Sequence, residues 1–103
     1  MTFGMVVTLR VRPGCDAEFC ATMSELAAVV CASEPDTRVY LPLKVRDQPD
    51  TYVVMEVYES EAAHDVHLRN PCAQPYFARL ADLIAERISV LSLDPIDKLL
   101  VMG

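Results

Sequence analysis

Both histidines of the sequence, His64 and His67, lie on one predicted helix that follows Ser60. One face of that helix holds four residues at helical spacing, namely Ala63, Val66, His67 and Asn70. His67 is therefore expected to point inward beside apolar neighbours. Histidine has an ordinary pKa of about 6.5, which suits proton transfer near neutral pH. His67 is the candidate general base, and a purely structural hydrogen-bonded histidine is an equally good interpretation.

A metal centre is not indicated by the spacing of the possible ligands. His64 and His67 stand three residues apart with no third ligand nearby in the sequence, which fits a closed site poorly. The four cysteines, at positions 15, 20, 31 and 72, match neither a C-x-x-C pair nor a paired zinc pattern. We expect no bound metal, reduced and mostly buried thiols, and a surface position for His64.

Five aromatic side chains are candidates to contact a ligand, namely Tyr40, Tyr52, Tyr58, Tyr76 and Phe77. A tyrosine hydroxyl can donate a hydrogen bond to a ligand oxygen, and Phe77 can wall an aromatic ring. The same side chains can equally serve core or interface packing. Glu56 interrupts an alternating strand pattern and is expected to pair with an arginine such as Arg10 or Arg38 rather than to act in catalysis.

Composition and charge restrict the class of protein. The chain has 103 residues, 52% of them hydrophobic, which predicts one globular domain over residues 1–103. Its net charge of -6 and lack of a basic cluster make nucleic acid an unexpected partner. The N-terminus does not resemble a signal peptide, and no apolar run approaches the roughly 20 residues that span a bilayer. We expect a cytoplasmic protein with no membrane contact.

The periodicity of the apolar residues predicts seven elements in the order β-α-β-β-α-α-β. Strands are expected at 5–11, 38–46, 52–58 and 88–93, and helices at 17–33, after Ser60, and at 74–86. Asp16 is the predicted N-cap of the first helix, and Pro42 predicts an edge strand or a bulge. This order is typical of the ferredoxin-like α+β arrangement, a four-stranded antiparallel sheet with helices on one face.

The second face of the sheet is expected to be buried in a homodimer. That face is expected to carry Val6, Thr8, Tyr52, Val54 and Tyr58, which together are too apolar to face water. The apolar tail at 96–102 has no evident place within a single small domain. Two sheets packed face to face, with exchanged C-terminal tails, would form a dimeric α/β barrel.

The sequence resembles the antibiotic biosynthesis monooxygenase domain family of the dimeric α+β barrel superfamily over about residues 4–93. The resemblance lies in the turn at 12–14, the Glu34-Pro35 pair, the segment VMEVYES at 54–60 with EAAH and HL after it, Asn70-Pro71 and Phe77. Two positions depart from the family pattern. Asp36 stands where glycine is usual, and Tyr58 stands where tryptophan is common.

The resemblance implies a cofactor-independent monooxygenase that oxidises a quinol or a polycyclic phenol. His67 would be its base, the tyrosines would hold a phenolate, and Phe77 would pack on the ring. Haem-cleaving relatives use an Asn, a Trp and a His at places that hold Val7, His67 and Phe77 here, so haem cleavage is not expected.

Two alternatives remain at the level of the sequence. One is a dimeric module that binds a small metabolite without catalysis, and the other is an isomerase that uses His67 as a proton shuttle.

Overall fold

The computed structural model describes residues 1–96. Its elements are β1 Phe3–Val11, α1 Asp16–Ser33, β2 Thr37–Lys44, β3 Thr51–Tyr58, α2 Glu61–Arg69, α3 Gln74–Leu83 and β4 Ile84–Leu93. The four strands form one sheet in the order β2-β3-β1-β4, and every neighbouring pair is antiparallel. The predicted α+β class and element order are confirmed. The edge position predicted for the Pro42-bearing strand is confirmed as well, because β2 lies at one side of the sheet.

The helix boundaries differ from the prediction at two points. The N-cap of α1 is Cys15 rather than Asp16, which is the first helical residue. Helix α3 ends at Leu83, three residues earlier than expected, because Ile84 pairs with Val11 at the start of the β1–β4 ladder. The hydrogen bond from the Arg12 amide to the Leu83 carbonyl, 2.9 Å, belongs to the same transition.

The second helix begins as the sequence predicts. The Ser60 hydroxyl accepts a hydrogen bond from the Ala63 amide at 3.2 Å, which satisfies one of the amides left free in the first turn. Ala63, His67 and Asn70 are buried, and His67 is thereby fixed toward the interior. Val66 is 61% exposed, so its predicted place on the buried face is wrong.

The hydrophobic core lies between the helices and one face of the sheet. Helix α1 contributes Phe19, Met23, Leu26 and Val30 at helical spacing. The sheet contributes residues of matching parity from its two central strands, namely Leu9, Val11, Tyr52 and Val54. Burial of this apolar surface is the main driving force for folding, and it sets α1 and α3 on the same side of the sheet.

The opposite sheet face is apolar and carries Val6 and Thr8 as predicted, but the residues that β3 contributes to it differ. Val7 pairs with Val54 and Leu9 with Tyr52, so odd positions of β1 share a face with even positions of β3. Tyr52, Val54 and Tyr58 consequently point into the helix-covered core, not outward. The outer face instead carries Val39, Leu41, Leu43, Met55, Leu91 and Leu93, which are between 39% and 55% exposed.

The prediction that most of the four cysteines are buried is wrong. Cys20, Cys31 and Cys72 are exposed and Cys15 is half-buried. Within residues 1–96 no helix is long and apolar enough to cross a membrane. The tail predicted to exchange between subunits lies almost wholly outside the described residues.

A core truncation in α1 tests this packing. Leu26 is fully buried, and we expect Leu26→Ala to lower the free energy of unfolding by about 2 to 5 kcal/mol because it leaves a cavity. The matched Leu68→Ala change, at a residue that is 53% exposed, should cost less than about 1 kcal/mol. Urea unfolding at one fixed protein concentration measures both. Equal losses in the two variants would contradict this placement of the core.

Candidate active site

A buried pair formed by Glu34 and His67 lies at the centre of the candidate site. Glu34 follows the last residue of α1, and His67 comes from the buried face of α2. The His67 Nδ1 atom is 3.0 Å from Oε1 and 2.9 Å from Oε2 of Glu34, and both side chains are 3% exposed. Two residues 33 positions apart in the chain are thus joined in the interior.

Further donors hold the Glu34 carboxylate in place. The Thr37 hydroxyl donates to Oε1 at 2.6 Å, and Asn70 Nδ2 donates to Oε2 at 2.8 Å. Burial opposes ionisation most strongly, yet the hydrogen bonds from Thr37, Asn70 and His67 together hold the pKa of Glu34 below its ordinary value. The carboxylate is therefore ionised at neutral pH.

The pairing determines which nitrogen of His67 is available. A carboxylate only accepts hydrogen bonds, so Nδ1 carries the hydrogen in the pair and Nε2 is the nitrogen left for a ligand. Among residues 1–96 no group bonds to Nε2, and no buried polar side-chain atom there lacks a partner, so Nε2 is open to the adjoining cavity. An ionised carboxylate on the far side also stabilises the imidazolium formed when Nε2 takes a proton.

Aromatic rings surround the imidazole of His67. Ring-centroid distances are 5.0 Å to Tyr40, 5.3 Å to Phe77 and 5.6 Å to Tyr58. Burial, and after it the charges of Glu56 and Glu34, raise the pKa of Tyr40, so its phenol keeps its proton. Within the described chain the Tyr40 hydroxyl has no protein partner, which leaves it free to donate to a ligand.

A cavity of about 380 Å³ opens beside this cluster between the sheet and the helices. Most of its wall is apolar and includes Val7, Leu9, Val54, Phe77, Leu80 and Ile84. The polar groups that reach it are few, namely Tyr40, Glu56, His64, His67 and Arg87. Its size and lining suit a small aromatic ligand held by a small number of hydrogen bonds.

Glu56 differs from the prediction in its partner. Arg10 pairs with Glu86 and Arg38 with Glu59, so neither arginine neutralises Glu56. Its carboxylate instead accepts a hydrogen bond from the Tyr58 hydroxyl. Burial, followed by the charge of Glu56, raises the pKa of Tyr58 far above its ordinary value. Tyr58 is fully buried and does not line the cavity. Its hydroxyl holds the carboxylate of Glu56, which does line the cavity.

The remaining sequence candidates divide into two groups. His64 lines the cavity and is half-buried between Phe3 and Tyr58, with ring-centroid distances of 5.6 and 5.1 Å, so it is not a surface residue. Tyr52 and Tyr76 lie outside the cavity. The Tyr52 hydroxyl donates to Asp16 at 2.7 Å, and the ring of Tyr76 stacks under Arg79, 4.9 Å from its guanidinium carbon.

Sequence reasoning missed three polar residues of the site, namely Glu34, Glu56 and Asn70. A glutamate just before the proline that ends a helix looks like a surface residue, although Glu34 is buried. The helical spacing that puts Asn70 on the same face as His67 is a signal by which the sequence could have identified it. Within residues 1–96 no three His, Cys, Asp or Glu side chains lie close enough to hold a metal ion.

Comparison with known proteins relates most of the chain to one family. The family model for antibiotic biosynthesis monooxygenases matches residues 2–86. A proposed antibiotic biosynthesis monooxygenase from Caulobacter crescentus CB15 is 30% identical, with a TM-score of 0.87 over 93% of this chain and 91% of that one. A similarly described protein from Chloroflexus aurantiacus J-10-fl is 25% identical, with a TM-score of 0.83 over 94% and 95%.

One similar structure carries a more specific description. SnoaB from Streptomyces nogalater, a cofactor-independent oxygenase solved as a point mutant, is 23% identical, with a TM-score of 0.80 over 95% of this chain and 96% of that one. No curated protein matches the sequence.

The Glu34 carboxylate makes a prediction about acid stability. Its pKa is lower in the folded chain than the ordinary value of 4.5, so between the two values the unfolded chain binds more protons. The stabilisation is complete above about pH 4.5 and is lost as the pH falls through the lower folded-state pKa. Glu34→Gln should lower the free energy of unfolding by about 1 to 3 kcal/mol at neutral pH. The difference in this free energy between the variant and wild type should become smaller in acid.

Urea unfolding between neutral pH and pH 3 measures this difference (the lower limit lies roughly one unit below the ordinary pKa of a carboxyl group). Glu59→Gln is the matched control, because Glu59 is half exposed and pairs with Arg38 on the surface. The free energy of unfolding of Glu59→Gln should stay close to that of wild type over the whole pH range. A Glu34→Gln difference that is constant with pH would contradict the assigned ionisation.

Proposed function

Because the chain belongs to the antibiotic biosynthesis monooxygenase family, we propose that it is a cofactor-independent monooxygenase that oxidises a quinol or a polycyclic phenol. The observation that carries this proposal is the orientation of His67. Its Nδ1 atom is held by an ionised, buried carboxylate while Nε2 opens onto an apolar cavity of aromatic size. A base in this arrangement can deprotonate a phenol in a site from which most water is excluded.

The proposed reaction begins with proton transfer from a substrate hydroxyl to Nε2 of His67. The resulting electron-rich phenolate passes one electron to O2, and the two radicals combine to form a carbon–oxygen bond. Loss of water from the hydroperoxide leaves one oxygen atom on the substrate. Overall, a quinol and O2 give a hydroxyquinone and water, so the substrate supplies all four electrons and no external reductant is required.

The described residues have distinct tasks in this scheme. Glu34 orients His67 and stabilises the imidazolium through its negative charge, as a carboxylate does for a catalytic histidine elsewhere. Tyr40 keeps its proton and can donate to a substrate carbonyl or phenolate oxygen that lies against the ring of His67. Phe77 and its apolar neighbours form the wall on which an aromatic ring packs.

The similar fold of SnoaB supports the proposal at the level of chemistry. That protein is a cofactor-independent oxygenase, so this fold accommodates oxygen chemistry without a cofactor. Isomerisation through His67 and ligand binding without catalysis are the competing functions. Oxygen uptake separates the oxygenase from both, and exchange of a substrate C–H proton into deuterated water separates the isomerase from the binding module.

We further propose that the chain is a cytoplasmic homodimer joined through the outer sheet face. That face exposes Leu41 and Leu43 on β2, Met55 on β3, and Leu91 and Leu93 on β4. Val6 of β1 pairs with both Met55 and Leu91 and joins the two sides of this face. Monomeric soluble proteins rarely present so large an apolar patch to water. A second copy of the same sheet covers it with a surface of matching character, and the two sheets then form the centre of a barrel.

His67→Gln provides the main test of the activity. Glutamine retains a donor for Glu34 but cannot act as a base near neutral pH, so we expect kcat/KM for oxygen uptake to fall about a hundredfold or more. Uptake is followed with a panel of hydroquinones and anthrones, with a chelator present and no cofactor added.

His64→Gln is the matched control, because His64 lies on the same helix and lines the same cavity. Its effect should be several-fold at most. Uptake that survives His67→Gln unchanged would remove His67 from the chemistry, and deuterium exchange without any uptake would favour the isomerase.

Met55→Glu tests the interface. Met55 is 41% exposed at the middle of the outer face, and a carboxylate buried there without a partner should dissociate the dimer. Multi-angle light scattering should give twice the mass of the chain for wild type and the mass of one chain for the variant. Val66→Glu, on the exposed side of α2, should remain a dimer. A monomeric wild type would refute the proposed assembly.

A further inference from the structure

Glu56 is a buried carboxylate of the cavity that has no role in the proposed oxidation. Glu56 is 7% exposed and reaches the same cavity as His67. One of its oxygens accepts a hydrogen bond from the Tyr58 hydroxyl. Within residues 1–96 no other donor reaches this carboxylate and no basic side chain pairs with it. Glu56 is thus a largely buried carboxylate in which one oxygen has a neutral partner and the other is open to the cavity.

A ligand that displaces water from the second Glu56 oxygen must supply a donor in its place. A carboxylate has about four acceptor positions, and burial without compensating hydrogen bonds is unfavourable. Glu34 shows what full compensation looks like here, since it receives donors from Thr37, Asn70 and His67. The additional donor for Glu56 must come from whatever occupies the cavity.

We propose that Glu56 accepts a hydrogen bond from a second hydroxyl of the substrate, and so selects an uncharged aromatic ring that carries two hydroxyl groups. This inference rests on the proposed function, because it takes the cavity beside His67 as the substrate site. Glu56 is then a specificity-determining residue. Tyr58, which holds its carboxylate, is a positioning residue.

The two acceptors line the same cavity, so one ligand can contact both. Tyr58 connects them, since its ring centroid lies 5.6 Å from that of His67 and its hydroxyl binds Glu56. An aromatic ring with two hydroxyls can supply one donor to each acceptor. One hydroxyl would donate to Nε2 of His67 and be deprotonated, while the other would donate to Glu56 and keep its proton.

The charge of Glu56 also predicts what the site rejects. An anionic substituent at the same place would meet a carboxylate in a largely apolar surrounding, where repulsion between like charges is strong. A methyl ether there would offer no donor and would leave the free Glu56 oxygen desolvated. Selection therefore operates both through an attractive contact and through two unfavourable ones.

Anaerobic binding of three ligands tests the inference without turnover. The probes are a naphthohydroquinone, its monomethyl ether, and the hydroxynaphthoate whose carboxylate is para to the hydroxyl, each titrated by quenching of tyrosine fluorescence. For wild type we expect the hydroquinone to bind about tenfold to a hundredfold more tightly than the ether, which is the range for a charge-assisted hydrogen bond. The hydroxynaphthoate should bind more weakly than both.

Glu56→Gln should abolish this discrimination. Tyr58 still requires an acceptor, so the amide oxygen turns toward Tyr58 and the amide NH2 faces the cavity, where it can donate equally to a hydroxyl, an ether oxygen or a carboxylate. The ratio between hydroquinone and ether should fall to about two, the statistical advantage of two equivalent hydroxyls. The hydroxynaphthoate should bind more tightly than to wild type, and this gain cannot arise from misfolding.

Glu59→Gln is the matched control, because Glu59 pairs with Arg38 at the surface and should leave all three affinities unchanged. Equal binding of hydroquinone and ether by wild type would overturn the inference, as would a ratio that Glu56→Gln leaves unaltered. Oxygen uptake is measured separately with the same hydroquinone. Discriminating binding without uptake would refute the oxygenase and retain the role of Glu56, whereas uptake without discrimination would do the reverse.

Discussion

The hydrogen bonds that converge on Glu34 connect three otherwise separate parts of the fold. Glu34 ends α1, Thr37 begins β2, and His67 and Asn70 belong to α2 and the turn after it. The backbone amide of Glu34 also donates to the Val30 carbonyl, so the carboxylate is attached to a helix end that is itself fixed in the core. Removal of any one donor leaves part of the acceptor capacity of this buried carboxylate unfilled, at a cost of about 1 to 3 kcal/mol. The position and tautomer of the candidate base therefore depend on the end of the first helix.

Local patterns in the sequence were enough to predict the elements but not the relation between them. Alternating apolar residues identified all four strands, and Ser60 marked the start of α2, since these signals depend only on neighbouring residues. Which faces of β1 and β3 coincide depends on register. Both strands alternate between two kinds of residue, so a register shifted by one residue would still leave each strand with one apolar face. The observed pairing of Val7 with Val54 is set by contacts between residues far apart in the sequence. The exposed apolar face and the place of Val6 and Thr8 on it were thus predictable, whereas the residues that β3 contributes to it were not.

The same distinction applies to the site. The inward orientation of His67 follows from helical spacing within α2 and is a local property. Its pairing with Glu34 joins residues 33 positions apart, and the partner of Glu56 is set by the short separation from Tyr58 rather than by the arginines that its charge suggests. Tyr52 shows the limit most plainly, because it lies on the predicted strand, is buried, and yet donates to Asp16 away from the cavity. Burial of a tyrosine alone does not tell which cavity its hydroxyl reaches.

Two buried carboxylates near one histidine take different parts because their surroundings differ. Glu34 has its acceptor positions filled by the protein, so its charge is committed to holding Nδ1 of His67 and to stabilising the protonated ring. Glu56 has only the Tyr58 hydroxyl, and its remaining capacity faces a cavity whose wall is otherwise largely apolar. A carboxylate whose hydrogen bonds are all made by the protein does not discriminate between ligands. A carboxylate with an acceptor position open to the cavity disfavours every ligand that has no donor for it, because such a ligand removes water from that oxygen without replacing its hydrogen bond. Proton transfer and substrate selection can therefore be assigned to separate residues within one small site.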